Sequence, residues 1–147
     1  MNTDYDIIIV GGGPGGLTAG LYGARANLKV LLLEKALPGG QIANTHEVED
    51  YPGFELISGP ELAAKMEQHA KKFGLEVQNG AVKEVYCEGD DRVVVTDDDT
   101  EYRTRAVILA TGGSPNLLNV PGEKELSGMG VSYCAICDGA FFKDQHI

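Results

Sequence analysis

The stretch Ile7-Ile8-Ile9-Val10-Gly11-Gly12-Gly13-Pro14-Gly15-Gly16 decides the fold of this chain. Its four branched apolar residues form a continuous run, which is typical of a parallel strand buried on both faces. The glycines contain the pattern Gly-x-Gly-x-x-Gly, and residues 17–27, rich in Ala and Leu, then predict a helix. A second apolar run, Val30–Leu33, completes a strand–helix–strand unit, for which we expect a right-handed crossover.

The glycine pattern lies where a nucleotide pyrophosphate binds in folds of this kind. Gly11 permits a tight turn, Gly13 lets the backbone approach a pyrophosphate, and Gly16 lets helix and strand pack closely. The anion would rest on unpaired N–H groups at the start of the helix. Because the pattern follows a buried strand and opens a helix, it predicts a dinucleotide site rather than a glycine-rich turn without a ligand.

Glu34 ends the second apolar run, where dinucleotide-binding folds place an acidic residue. Its carboxylate can accept hydrogen bonds from an adenosine ribose and would repel a 2′-phosphate. The glycines and this acid therefore favour FAD or NAD over NADP at this site. The alternative is an exposed acid beside a glycine-rich turn.

Composition excludes several classes of protein. The chain has 147 residues, of which 43% are hydrophobic and 23% charged, as in a typical soluble globular protein. The net charge of −10 would repel phosphate backbones and anionic lipid, so we expect neither nucleic acid nor a membrane as partner. The first residues do not resemble a signal peptide, and three cysteines do not form a secreted disulfide framework. We therefore expect a cytoplasmic protein.

Downstream of the glycine unit, the sequence predicts a long loop, a second helix and short strands. Residues 37–59 contain two prolines and several glycines and predict an irregular, functional loop. A helix is expected from about Ser58 to Gly74, with its apolar face at Leu62, Met66, Ala70 and Phe73. Strands are expected at residues 81–87, 92–96, 100–103 and 106–110, the last returning to the parallel sheet.

A second chemical signal is Cys134-Ala135-Ile136-Cys137, followed by Asp138. Alone, Cys-x-x-Cys is compatible with zinc binding and with redox chemistry. A structural zinc needs four ligands, and the sequence has neither a second such pair nor paired histidines, so we expect no metal. The spacing favours a dithiol/disulfide switch, in which Asp138 could shuttle a proton to the thiolate formed on reduction. The alternative is a pair of buried structural cysteines beside a turn acid.

These signals together resemble one family. Residues 132–139, Ser-Tyr-Cys-Ala-Ile-Cys-Asp-Gly, strongly resemble the active-site segment of bacterial-type, low-molecular-weight thioredoxin reductases. Residues 11–16 match the family's first FAD segment, and Gly39-Gly40-Gln41 match its GGQ loop beside the flavin. Residues 47–53 match its aromatic-Pro-Gly stretch, and Ala110-Thr111-Gly112 match its ATG strand end. The resemblance covers nearly the whole chain.

The resemblance implies an α/β fold in two parts. Residues 1–114 would form a Rossmann-like FAD-binding domain with a parallel central sheet and a small antiparallel β-meander. Residues 115–147 would form a linker and the beginning of the NADPH-binding domain, which carries the redox cysteines. The family's second glycine fingerprint, for NADPH, and its C-terminal Gly-Asp flavin segment are missing from this sequence. We therefore expect a truncated chain that cannot use NADPH, from an enzyme that is homodimeric at full length.

The resemblance also implies a mechanism. NADPH would pass a hydride to FAD, the reduced flavin would reduce the Cys134–Cys137 disulfide, and the dithiol would reduce thioredoxin or a thioredoxin-like protein. By the same analogy Cys137 lies nearer the flavin, Cys134 attacks the partner, and Asp138 supplies protons. A rotation of the nicotinamide domain would bring the cysteines to flavin and partner in turn.

The pattern and the resemblance together give a set of expected FAD-binding residues. They are Gly11, Gly12, Gly13, Pro14, Gly15, Gly16, Glu34, Lys35, Gly39, Gly40, Gln41, Ile42, Asp50, Val82, Ala110, Thr111 and Gly112. Asp50 departs from the family, which commonly has Asn there. An acceptor-only carboxylate facing the isoalloxazine would either change its protonation or lean toward solvent.

Three other functions stay open at this point. One is an FAD- or NAD-binding module without redox chemistry. Another is a fragment of the flavoprotein subunit of an alkyl hydroperoxide reductase, which has a related Cys-x-x-Cys-Asp-Gly but carries extra N-terminal domains. A zinc protein is disfavoured, because two thiols without convenient histidines make a poor zinc site.

Overall fold

The computed structural model describes residues 3–127 and 129–146. The side chains at positions 136, 138, 140 and 141, including that of the predicted catalytic residue Asp138, lie outside the described part. The backbone forms two compact units, Met1–Gly112 and Gly113–Ile147. That these units serve as an FAD domain and a nicotinamide domain, divided after residue 114, stays a prediction. Within the described residues, no helix is long and apolar enough to cross a membrane.

The first unit is built on a mixed sheet that has six strands in the described residues. These strands are β1 (Tyr5–Val10), β2 (Val30–Glu34), β3 (Glu76–Asn79), β4 (Val82–Glu88), β5 (Asp91–Thr96) and β6 (Glu101–Leu109). Their order in the sheet is β3-β2-β1-β6-β5-β4. The pairings from β3 to β6 are parallel, whereas β5 and β4 follow in antiparallel pairings. The predicted α/β fold, with a parallel sheet and an antiparallel meander, is confirmed.

Two helices of the first unit follow the glycine loop and the long loop. Helix α1 (Pro14–Arg25) begins earlier than predicted, because Pro14 at its first position needs no hydrogen-bond acceptor for a backbone N–H. Helix α2 (Gly59–Lys72) begins after Ser58, whose Oγ accepts a hydrogen bond from the N–H of Glu61 at 3.3 Å. The long loop contains a 3₁₀ turn at Gly40–Asn44 and an antiparallel bridge between Val48 and Ile57.

The core lies on both faces of the parallel strands. One cluster packs the helices against the sheet, and its buried members are Ile9, Leu17, Ala24, Val30, Leu32, Ala70 and Leu75. The second cluster packs the opposite face against the meander, and its buried members are Tyr5, Ile8, Leu31, Leu33 and Val94. Residues from neighbouring positions of β1 and β2 thus enter opposite clusters, which explains why both strands are continuous apolar runs.

The apolar face predicted for α2 is confirmed only in part. Leu62 and Ala70 are buried, and Met66 is partly buried against them. Phe73, in contrast, is 37% exposed, and the guanidinium carbon of Arg25 lies 4.8 Å from its ring centroid. Position 73 is the C-cap of α2, where the face turns away from the core.

The last strand of the first unit differs from the prediction. The strands expected at residues 100–103 and 106–110 form one strand, β6, whose first part pairs with β5 and whose second part pairs with β1. Thr104 takes part in both pairings, is fully buried, and donates a hydrogen bond from its hydroxyl to the carbonyl of Ala106 at 3.1 Å. The polar residues of this stretch interrupt the apolar sequence pattern, but the strand itself continues through them.

The second unit contains little regular structure among its described residues. Helix α3 (Ala135–Asp138) is a single turn and is followed by a 3₁₀ turn at Gly139–Phe142. Upstream, Ser127 and Val131 form an isolated bridge, and the N–H of Val131 donates to the carbonyl of Leu126 at 3.0 Å.

Candidate functional site

The backbone at the start of the glycine loop is hydrogen-bonded to the chain at the ends of both β2 and β6. The N–H of Gly11 donates to the carbonyl of Leu33 at 2.9 Å, and that of Ala110 donates to the carbonyl of Val10 at 2.8 Å. Gly11 has φ +105°, and a Cβ there would clash with the Ala110 carbonyl oxygen, because the two atoms would be much less than 3.0 Å apart. Position 11 therefore requires glycine both for its backbone conformation and for the close approach of the chain after β6.

The third glycine of the pattern is required by helix packing. A Cβ on Gly16 would clash with the carbonyl oxygen of Gly11, because the two atoms would be much less than 3.0 Å apart. The first turn of α1 thus rests directly on the backbone that leaves β1. No rotation of a side chain could relieve such a contact, because both partners are main-chain atoms.

Gly13 and Gly15 differ from these two glycines, because the chain leaves space beside them. Gly13 is the N-cap of α1 with φ −72°, and the nearest atom to a Cβ there would be the Cα of Gly40, at 3.8 Å. A Cβ on Gly15 would meet nothing within 4 Å. Packing within the chain therefore does not account for glycine at these two positions.

The carboxylate of Glu34 ties the glycine loop to the end of β2. Its Oε2 accepts a hydrogen bond from the N–H of Gly12 at 2.6 Å, and its Oε1 accepts one from the N–H of Ala36 at 2.9 Å. The sequence pattern predicted a ribose-binding acid here but not these two bonds. Each carboxylate oxygen can accept a further hydrogen bond, so the acid can hold the loop and a ligand hydroxyl together.

A second glycine pair lies against the first loop. The N–H of Gly39, at φ +125°, donates to the carbonyl of Gly12 at 2.8 Å. A Cβ on Gly40 would lie 3.1 Å from the Cα of Gly13. The 3₁₀ turn that begins at Gly40 includes Gln41 and Ile42. The structure thus brings residues 11–13, 34 and 39–40 together at the carboxyl ends of the parallel strands.

The other predicted cofactor residues lie around this edge or on its loops. Val82 is half-buried at the start of β4, two positions after Gly80, whose N–H donates to the carbonyl of Glu34 at 3.0 Å. Thr111 and Gly112 follow β6 and are exposed, as are Lys35 and Asp50. Their roles toward a cofactor stay predictions.

In the second unit, Cys134 and Cys137 form a disulfide bond. Both residues are exposed, which contradicts the alternative of a buried structural pair. The N–H of Cys134 donates to Ser132 Oγ at 3.0 Å, and the N–H of Cys137 donates to Cys134 Sγ at 3.3 Å. In the described part of the chain, no three acidic, histidine or cysteine side chains are grouped to hold a metal.

A buried carboxylate in the second unit was not predicted. Glu123 is 5% exposed and accepts hydrogen bonds from the N–H groups of Leu118 and Asn119, at 2.8 and 2.6 Å, and from the hydroxyl of Tyr133. The Tyr133 bond, followed by that from Leu118, lowers the pKa of Glu123, and the same bond raises the pKa of Tyr133. The sequence predicted only a linker and the start of a second domain after residue 114, and the available signal for this acid was its place directly after Pro121-Gly122.

Known proteins resemble the chain over nearly its whole length. The family described as pyridine nucleotide-disulphide oxidoreductase matches residues 5–146. The thioredoxin reductase of Bacillus subtilis (strain 168) is 57% identical over 143 residues, which cover 97% of this chain and 45% of that protein. The thioredoxin reductase of Peptoclostridium acidaminophilum is 46% identical and covers 100% of this chain and 47% of its own length.

Solved structures agree with this similarity. The crystal structure of the thioredoxin reductase from Streptococcus pyogenes MGAS5005 matches with a TM-score of 0.88 and 49% identity, over 98% of this chain and 47% of that one. The Lactococcus lactis thioredoxin reductase in its FR conformation matches with a TM-score of 0.77 and 48% identity, over 95% and 46%. The chain spans about half the length of the curated relatives it matches.

Proposed function

This chain belongs to the pyridine nucleotide-disulphide oxidoreductase family, and from that premise we propose that it is the amino-terminal part of an FAD-dependent thioredoxin-disulfide reductase. In the full-length protein, electrons pass from NADPH through FAD and the Cys134–Cys137 disulfide to thioredoxin or a thioredoxin-like protein. The observation that carries the proposal is the space beside Gly13, in a chain whose other unit bears an exposed Cys-x-x-Cys disulfide.

The glycine loop fits the pyrophosphate of FAD. Gly11 and Gly16 are fixed by main-chain packing, so the loop and the start of α1 hold one shape. At Gly13 and Gly15 the chain itself puts nothing against a side chain, which leaves room for a ligand to approach the backbone. Glu34 keeps acceptor capacity for a ribose hydroxyl while it holds Gly12.

Other residues are proposed to contact the cofactor from the surrounding loops. FAD, when bound, supplies a carrier that takes up a hydride and gives up two electrons to a disulfide. The proposed contacts outside the glycine loop are Lys35, Gly39, Gly40, Gln41, Ile42, Asp50, Val82, Ala110, Thr111 and Gly112. Because Asp50 is exposed, its carboxylate can remain hydrated where relatives of the family commonly have Asn.

The cysteines are proposed to carry out the exchange with the partner protein. Reduction adds two electrons and two protons to the Cys134–Cys137 disulfide and gives two thiols. The Cys134 thiolate then attacks the partner's disulfide and forms a mixed disulfide, and Cys137 displaces the partner as a dithiol. Asp138 is proposed to exchange protons with these thiols. Their exposure in the structure is what exchange with a second protein requires.

The cellular setting is part of the same proposal. The full-length protein is proposed to be a cytoplasmic homodimer that binds neither nucleic acid nor membrane. The net charge of −10 supports the last two statements, because it opposes binding to phosphate backbones and anionic lipid.

FAD retention tests the proposal directly. The purified chain, mixed with FAD and passed through a desalting column, is expected to keep bound flavin, measured by its visible absorption. Gly13→Ala should fold normally, because its Cβ stays 3.8 Å from Gly40, yet lose affinity for FAD by about tenfold or more.

Gly139→Ala is the control, since position 139 lies outside the proposed FAD contacts and its Cβ would meet no atom within 4 Å. It should leave both folding and FAD affinity unchanged. A folded wild-type chain that releases all its flavin, or equal FAD affinities of the wild type and Gly13→Ala, would overturn the assignment of the glycine loop as the pyrophosphate site.

A further inference from the structure

We propose that Glu123 is a positioning residue for the redox disulfide. By holding the Tyr133 hydroxyl, Glu123 fixes the segment that leads into Cys134 and makes the Cys134–Cys137 disulfide harder to reduce. The biological meaning of this inference rests on the proposed function. Its geometry does not, because all the residues involved belong to the second unit.

The Glu123 carboxylate collects donors from two separate segments. Its Oε1 accepts from the N–H of Leu118 at 2.8 Å and from the Tyr133 hydroxyl, and its Oε2 accepts from the N–H of Asn119 at 2.6 Å. Tyr133 is 43% exposed, whereas Glu123 is 5% exposed. A largely surface tyrosine is thus tied at its tip to a buried acid.

Only an ionised carboxylate fits these donors. Both of its oxygens accept hydrogen bonds, whereas a glutamine at position 123 would present an NH₂ group to the N–H of Leu118 or of Asn119. Facing donors cannot bond, so one of these N–H groups would lose its acceptor. The lowered pKa of Glu123, caused first by the Tyr133 hydroxyl, agrees with a site built for the charged form.

The segment held by this acid leads directly into the redox helix. The N–H of Val131 is bonded to Leu126, the hydroxyl of Tyr133 to Glu123, and the N–H of Cys134 to Ser132. The backbone that presents the Cys134 sulfur is therefore fixed on its amino-terminal side. Orienting two reacting groups raises their effective concentration, so this fixation favours the disulfide over the dithiol.

The test measures the redox equilibrium of the cysteine pair itself. In a Cys87→Ser background, which removes the exposed free thiol, the chain is equilibrated with mixtures of reduced and oxidised dithiothreitol. In this exchange one dithiothreitol is oxidised for each Cys134–Cys137 disulfide that becomes a dithiol. The reduced fraction is measured by alkylation and mass spectrometry, without flavin, so the result stands whether or not FAD binds.

Removing either partner of the hydrogen bond between Tyr133 and Glu123 should shift the redox equilibrium in the same direction. Tyr133→Phe and Glu123→Gln are each expected to favour the dithiol by about three- to tenfold in the equilibrium constant. If Glu123 acts through Tyr133, the double variant should shift no further than Glu123→Gln alone. A constant within about twofold of the parent for Tyr133→Phe would overturn the proposal, whatever Glu123→Gln does.

Matched controls separate positioning from loss of stability. Tyr102→Phe also removes a phenol that donates a hydrogen bond, at 3.0 Å to Gln78, but in the first unit. Glu125→Gln removes an exposed carboxylate two positions from Glu123. Neither should change the constant. Because Tyr133→Phe leaves both backbone bonds of Glu123 in place, it remains decisive even if Glu123→Gln unfolds the second unit.

Discussion

At the residue scale, one glycine motif contains glycines with different physical reasons. Gly11 and Gly16 are enforced by neighbouring backbone, whereas Gly13 and Gly15 face open space. The sequence pattern placed the loop between a buried strand and a helix. It did not show that Glu34 bonds to Gly12, because that contact depends on how β2 ends beside β1.

Gly16→Ala should destabilise the first unit by about 2–3 kcal/mol, because its methyl group overlaps the carbonyl oxygen of Gly11 and the helix must move. The neighbouring Gly15→Ala should be neutral or stabilising by up to about 1 kcal/mol, since it restricts the unfolded chain without a clash. Urea unfolding followed by circular dichroism measures both. Equal stabilities of the two variants would contradict the packing described for α1.

Tyr5 should make stability fall at high pH. Burial, helped by the hydrogen bond from its hydroxyl to Glu76, raises the pKa of Tyr5 to about 12. An unfolded tyrosine has a pKa of about 10. The stabilisation from the neutral phenol is therefore complete below pH 10 and is lost as the pH rises from 10 to 12.

Urea midpoints measured between pH 8 and pH 11.5 should show this loss in the wild type, and Tyr5→Phe should show less of it. Tyr22→Phe, at an exposed position, serves as the control and should follow the wild type. A steeper fall for Tyr5→Phe would contradict the burial of a neutral phenol.

At the scale of elements, strands were predictable where both faces are buried. Strands β1 and β2 could be predicted from their apolar runs, because successive residues of each strand lie in opposite core clusters. Strand β3, with the sequence Glu-Val-Gln-Asn, was not predicted, since an edge strand can keep polar residues and still pair with β2. The single strand β6 was predicted as two strands, because a local sequence pattern does not show that one strand pairs with both β5 and β1.

Helix α2 should depend on its cap. Ser58→Ala removes the Oγ that accepts from the N–H of Glu61 and should cost about 1 kcal/mol in the free energy of unfolding. Ser58→Asp keeps an acceptor at the same position and should restore most of the loss. Thermal unfolding of the three proteins checks this, and an unchanged Ser58→Ala would show that the cap contributes no stability.

At the scale of the whole molecule, apolar burial is concentrated in one unit. In the part of the chain whose burial is described, every buried hydrophobic residue lies at or before Val95, whereas Glu123 is buried in the second unit by polar contacts. The order of motifs along the chain was enough to predict the family. The contacts of Glu123 were not predictable, because they join Tyr133 of the Cys-x-x-Cys segment to the N–H of Leu118 through side-chain geometry that no local sequence pattern records.

Hydrogen exchange should reflect this difference. Amides of β1, β2 and β6 are expected to exchange at least about 100-fold more slowly than those of residues 113–134, because opening them exposes the apolar core. Reducing the disulfide should speed exchange in the second unit and leave the sheet unchanged. Exchange measured by mass spectrometry with and without dithiothreitol checks both, and equal protection of the two units would contradict the expectation.

The double pairing of β6 also determines when the sheet can be completed during synthesis. The strands β3, β2 and β1 form one part of the sheet, β5 and β4 form another, and β6, made last of the six, joins them. In a nascent chain on the ribosome, the edges of β1 and β5 that face β6 therefore stay unpaired until Leu109 has left the exit tunnel. Those edges are the places where a neighbouring nascent chain could add a strand and divert the protein into aggregates.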